Sequence, residues 1–105
     1  MKKLPNVHPG EILFYEFLDP LEITAYRLSK NLKIPQTRIS EIIKGKRRIT
    51  ADTALRLSKY FGNSATFWLG LQNDYDIAEE KEKKESVLKQ ISKYTKSNSS
   101  KNLSS

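Results

Sequence analysis

TAYRLSKNLKIPQTRISEIIKGKRRIT, residues 24–50, is the stretch whose reading decides the fold. It predicts two short helices joined by a tight turn, the second running into a basic loop. Ile39, Ile42 and Ile43 give the second helix an apolar side, while Gln36, Thr37, Ser40, Glu41 and Lys44 lie away from it. Lys46, Arg47 and Arg48 follow at once. A helix held on its apolar side, with hydrogen-bonding groups outward and cations at its end, fits a DNA major groove.

Projecting residues 36–44 at about 100° per residue separates the two sides. With Gln36 at zero, Ser40, Lys44, Thr37 and Glu41 fall between about 40° and 140°, and the isoleucines between about 240° and 340°. Arg38, near 200°, sits on the flank. Side-chain chemistry then suggests roles. Gln36 can grip adenine through N6 and N7, Thr37 offers a methyl or a hydroxyl, and Glu41 can accept from cytosine N4. Ser40 and Lys44 reach bases or backbone. The base-reading set is therefore Gln36, Thr37, Ser40 and Glu41. Phosphates would be met by Arg38, Lys44, Lys46, Arg47 and Arg48. Thr24 opens a helix whose free N–H groups and dipole suit a further phosphate.

Outward from this stretch the punctuation is helical throughout. Pro9 suits the first position of a helix carrying Ile12, Leu13, Phe14, Phe17 and Leu18, with Pro20 expected to stop it. Thr24 caps the second helix, which buries Leu28 and Leu32. Pro35 opens the third and Gly45 closes it. Thr50 or Asp52 caps a fourth carrying Ala54, Leu55, Leu57, Tyr60 and Phe61, ended by Gly62. Ser64 starts a fifth with Phe67, Trp68, Leu69 and Leu71. No segment alternates with period two, so the expected fold is all-α, with residues 1–78 as one domain and the helix–turn–helix at about 24–45. A charged sixth helix is expected over 79–95, with Glu80 and Lys84 paired and Val87, Leu88, Ile91 and Tyr94 in a stripe. Residues 96–105 are polar and serine-rich, an expected disordered tail.

The net charge of +7 is concentrated. Residues 33–50 carry six cations against Glu41 alone, and residues 81–105 carry seven cations against two acids. Such islands favour polyanions through counterion release. Cysteine is absent and His8 is the one histidine, so disulfides, thiolate zinc sites and His-rich metal clusters are excluded, and no cofactor is expected. No apolar run approaches the roughly 18 residues needed to cross a bilayer, and the N-terminus lacks the apolar core of a signal peptide, which points to the cytoplasm. His8 is best explained as a cap or packing residue of the first helix. Phe67, Trp68 and Tyr75 fit a core or dimer interface better than a base-stacking platform. The acidic residues of 74–85 alternate with cations and mark a solvated face. No Ser/His/Asp or Cys/His constellation can be assembled, so an enzyme is not expected.

The run from Thr24 to Phe61 resembles the helix–turn–helix of Cro and lambda-type repressors. More narrowly, HPGEIL (8–13), RISEIIKGKRRITADTALRLSKYFG (38–62) and FWLGLQNDYDI (67–77) resemble the HigA/VapI antitoxins, over about two-thirds of the chain. The resemblance implies a lambda-repressor-like five-helix domain with the additional C-terminal helix. It also implies repression of a shared operon, and a partner toxin, an RNA-cleaving HigB-like protein, neutralised by direct binding. Repressors of this fold commonly read bases from the first two turns of the recognition helix, here Gln36, Thr37 and Glu41. A homodimer on palindromic double-stranded operator DNA is expected, because one short helix reads only a few base pairs. Two residues depart from the family pattern. Lys33 stands at the turn position that usually holds glycine, where a left-handed backbone costs roughly 1–2 kcal/mol. Ala25 stands where many relatives place glutamine. The rival readings are a stand-alone phage-type repressor without a toxin and an RNA-binding module using the basic tail. Residues 81–105 fit either a flexible basic arm or a segment ordered against a partner.

Overall fold

The computed structural model describes residues 6–96. Among them the chain is all-α, with six helices and no strand. Most of the expected tail, residues 97–105, lies outside the described residues. Helix α1 joins three segments, Pro9–Ile12, a π-helical turn Leu13–Leu18, and Asp19–Leu21. Then come α2 (Ala25–Leu32), α3 (Gln36–Ile43), α4 (Ala51–Phe61), α5 (Ala65–Lys83) and α6 (Glu85–Lys89). No helix is long and apolar enough to cross a membrane among these residues.

Local chemistry explains the starts. The Oγ of Thr24, Thr50 and Ser64 accepts from the backbone N–H three residues on, at 3.0, 3.5 and 3.0 Å, each satisfying one amide that a helix start leaves open. Thr50, not Asp52, is thus the cap of α4. Gly62 ends α4 in the left-handed conformation, φ 81°.

Two elements differ from expectation. Pro20 does not stop α1, which continues to Leu21. In an α-helix its ring would collide with the carbonyl four residues back, and its missing N–H would leave a bond unmade. The π turn shifts the register instead: the Asp19 N–H donates to Phe14, five residues back, and Pro20 falls in the first turn of the closing α segment. The chain then turns at Glu22, φ 56°. Further on, α5 runs past residue 78 to Lys83, because no breaker interrupts it and Lys81 and Lys83 suit its C-terminal dipole. The sixth helix is accordingly only Glu85–Lys89. The Glu80–Lys84 pair forms at 3.1 Å.

The core gathers Leu13, Leu18, Leu28, Leu32, Ile34, Ile39, Ile42, Ile49, Ala54, Leu57 and Trp68, all buried. Each large side chain removed from water contributes about 1.5–3 kcal/mol. Trp68 packs on Phe17 and Phe61, centroids 4.9 and 6.1 Å away, and its Nε1–H donates to Asn63 Oδ1 at 2.9 Å. It is a core residue. From Glu80 to Lys96 every residue is exposed.

Candidate nucleic-acid interface

The apolar side of α3 is fixed first. Ile39 and Ile42 are fully buried, which turns Gln36 and Thr37 outward and leaves Ser40 and Glu41 half-buried at the edge of the same face. Pro35 precedes α3 with extended backbone and offers no side-chain cap.

The turn between α2 and α3 carries the strain anticipated at Lys33, whose φ and ψ are 60° and 47°. A compensation comes from α4. Arg56 Nη1 donates to the Leu32 carbonyl at 2.8 Å and to that of Lys33 at 3.4 Å, satisfying acceptors at the end of α2. Asp52 holds Arg56 at 3.1 Å and Arg38 at 2.7 Å. The hydrogen bonds from Arg38, then Arg56, keep the Asp52 carboxyl below its usual range. A guanidinium–carboxylate–guanidinium bridge therefore ties α3, α4 and the turn together. Arg38, expected at a phosphate, lies against Asp52 and Thr53 instead of standing free.

The far end of α3 closes in a Schellman arrangement. The Lys46 N–H reaches the Glu41 carbonyl at 2.8 Å, the Gly45 N–H reaches that of Ile42 at 3.0 Å, and Gly45 takes φ 76°. This end is gripped by α1. A Cβ on Gly10 would lie 1.8 Å from the Ile42 carbonyl oxygen, so backbone meets backbone there. Buried His8 caps α1, its Nδ1 accepting from the Gly10 N–H at 2.9 Å, and its ring stands edge-on to Tyr75 at 4.9 Å. Burial pushes the His8 pKa down, against the opposing pull of Glu11 and Asp76. This accounts physically for the HPGE segment: its histidine caps and its glycine admits α3.

The basic loop is held from α5. Buried Gln72 accepts from the Ile49 N–H at 2.7 Å and donates to Asp76 Oδ1 at 3.0 Å. The other Asp76 oxygen takes Arg48 at 2.8 Å. Arg47 turns back onto Glu41, 2.7 Å away. Lys44 and Lys46 are exposed and make no ion pair among the described residues. Thr24, at the start of α2, is exposed as well.

Of the residues anticipated at the interface, the structure thus sets Gln36, Thr37, Ser40, Glu41, Lys44, Lys46, Arg47 and Arg48 on α3 and the loop after it. Thr24 stands at the separate start of α2, and Arg38 is turned toward α4. The anchors Arg56, Gln72 and Asp76 were missed as functional residues. The i, i+4 spacings of Asp52 with Arg56 and of Gln72 with Asp76 were the local signals available for them. Among the described residues no cluster of His, Cys, Asp or Glu could hold a metal ion.

A helix-turn-helix family model matches residues 14–68, more than half of the chain. The chain belongs to the XRE-type helix-turn-helix family. Within it the chain groups with the HigA/VapI antitoxins. It is 46% identical to Virulence-associated protein I of Dichelobacter nodosus, over 81% of this chain and 79% of that protein. Two solved structures bear the same relation. Antitoxin HigA of Pseudomonas aeruginosa with the higBA promoter is 35% identical, with a TM-score of 0.83 over 87% of this chain and all of that one. The HigA-family addiction module antidote protein of Coxiella burnetii is 43% identical, with a TM-score of 0.81 over the same shares. The helix-turn-helix family is one of DNA-binding regulators and antitoxins, not of enzymes.

Proposed function

We propose that this chain is the antitoxin of a toxin–antitoxin operon, acting in the cytoplasm: as a homodimer it represses that operon, and it neutralises an RNA-cleaving, HigB-like toxin by direct binding. The observation that carries DNA reading is the geometry of α3, clamped at one end and along its apolar side while Gln36 and Thr37 stand free at the other. Base contacts are assigned to Gln36, Thr37, Ser40 and Glu41. Exposed Lys44 and Lys46 and the start of α2 at Thr24 serve phosphates, as do Arg48 and Arg38 where DNA competes with their internal acids. That a HigA relative was solved with its promoter supports the reading.

Dimerisation follows from the size of the site, since two recognition helices one helical turn apart give the affinity that one lacks. Support comes from the groove between α5 and α6, where Ile77, Val87 and Leu88 are exposed, apolar and without a partner in the single chain.

The test is co-purification with the product of the neighbouring gene, followed by an operator shift with and without it. A complex that silences RNA cleavage and still binds the operator upholds the proposal. Operator binding by a chain that captures no neighbouring product would leave a stand-alone repressor. In the same shift assay Gln36→Ala should lose roughly 1–3 kcal/mol of discrimination at one base pair with an unchanged melting temperature.

A further inference from the structure

Glu41 and Arg47 form a pair whose geometry assigns more than charge neutralisation. Both Nε and Nη2 of Arg47 approach the same carboxylate oxygen, Oε1, at 2.8 and 2.7 Å. No hydrogen bond occupies Oε2 among the described residues. The backbone prepares this contact. The Schellman closure, with Gly45 left-handed and the Lys46 N–H on the Glu41 carbonyl, reverses the chain so that residue 47 returns over residue 41. Both side chains are about half exposed and lie beside Lys44 and Lys46.

A bare carboxylate on this face would repel phosphates as the helix entered a groove. A guanidinium bonded to one of its oxygens removes most of that repulsion and leaves the other oxygen able to accept a hydrogen bond. We propose that Arg47 is a positioning residue for Glu41: it fixes Oε1 so that Oε2 meets an amino group on a base edge, and the two side chains read one base pair as a unit. The donor fitting this acceptor is the exocyclic amino group of cytosine or adenine in the major groove. The inference rests on the base-reading role proposed above for Glu41. It departs from the simpler assignment of Arg47 to a phosphate. An exposed ion pair is worth only about 0–1 kcal/mol, so a phosphate competes with Glu41 for Arg47, and experiment separates the two outcomes.

The experiment is selection of the full chain against a duplex pool randomised across the site, with sequencing of the bound fraction and salt titration on the selected duplex. The variants are Glu41→Ala, Arg47→Ala, Arg47→Lys and the double alanine. Arg47→Ala should lose preference at the same base pair as Glu41→Ala, roughly tenfold, and the double variant should match Glu41→Ala alone. Arg47→Lys should recover only part of it, since an ammonium lacks the planar fork. The slope of log affinity against log salt should stay near that of the wild type. If Arg47→Ala weakens every sequence by one factor and flattens that slope by about one unit, Arg47 serves a phosphate and the inference fails. If Glu41→Ala leaves the preferred sequence unchanged, the base-reading assignment itself fails and takes the inference with it.

Discussion

At its N-terminal end α3, the proposed recognition helix, begins on Pro35 without a side-chain cap, and Gln36 and Thr37 stand exposed. At its C-terminal end the backbone of Ile42 lies against Gly10, His8 backs Gly45, and Gln72 holds the next strand of loop at Ile49. One end stands open and the other is fixed. The lesson concerns the two segments outside residues 24–50 that resemble HigA/VapI antitoxins most specifically. HPGEIL and FWLGLQNDYDI both act at the fixed end, so they set the direction of the helix and, among the described residues, make no hydrogen bond to the residues proposed to read bases.

The contrast breaks most sharply at Gly10. Gly10→Ala drives a methyl into the Ile42 carbonyl, and overpacking against backbone should cost on the order of 3 kcal/mol. Denaturant midpoints should fall steeply, and operator affinity should fall with them although every reading residue is intact. Gln72→Ala comes next. It leaves the buried Ile49 N–H unsatisfied and removes the donor to Asp76 Oδ1, a loss of about 2 kcal/mol in the same measurement. If Gln72→Ala proved as neutral as a surface change, the Gln72 bond to Ile49 would not be what holds the loop.

A smaller effect is expected from acidification. The folded His8 pKa is depressed by burial, whereas the unfolded value is near 6.5. As pH falls through 6.5 the unfolded chain takes up a proton that the folded chain refuses, so stability is full above that value. It declines down to the depressed native pKa, where the loss levels off. The melting temperature of the wild type should be lower at pH 5.5 than at pH 8. The difference should shrink in His8→Asn, whose side chain still accepts from the Gly10 N–H without titrating there. The smallest change should be a gain. Lys33→Gly relieves the left-handed strain at the turn, partly offset by glycine's larger entropy loss, for a net stabilisation of about 0.5–1 kcal/mol. The Arg56 bond is retained, because it goes to backbone carbonyls. Operator affinity should not move.

What could be read in advance follows the range of each interaction. The caps at Thr24, Thr50 and Ser64 act over three residues, and the glycine stops at Gly45 and Gly62 need only their own backbone, so these positions were legible, with Thr50 as one of two candidates beside Asp52. So was the burial of Leu28 and Leu32, while Trp68 was read as core or dimer interface and His8 as a cap or packing residue, and the structure places Trp68 in the core and His8 at the cap. Gln72 and Ile49 are 23 residues apart and Arg56 and Leu32 are 24, and no local pattern announces such pairs. The pairing of Arg38 with Asp52 was hidden for the same reason, since that carboxylate lies beyond the basic loop. The π turn was hidden too: Leu13–Leu18 carries the apolar spacing of any amphipathic helix, and Pro20 alone suggested an end.

That turn has a consequence for how the first helix can change. The π stretch accommodates a residue that a plain α-helix would not, and Pro20 sits just after it. Removing one residue from 13–18 would restore regular winding and set the proline ring against the carbonyl of the residue four places earlier. Replacing the proline alone would leave the widened turn without its occasion. The widened turn and the proline are therefore a matched pair: shortening 13–18 by one residue is tolerated only where Pro20 is replaced as well.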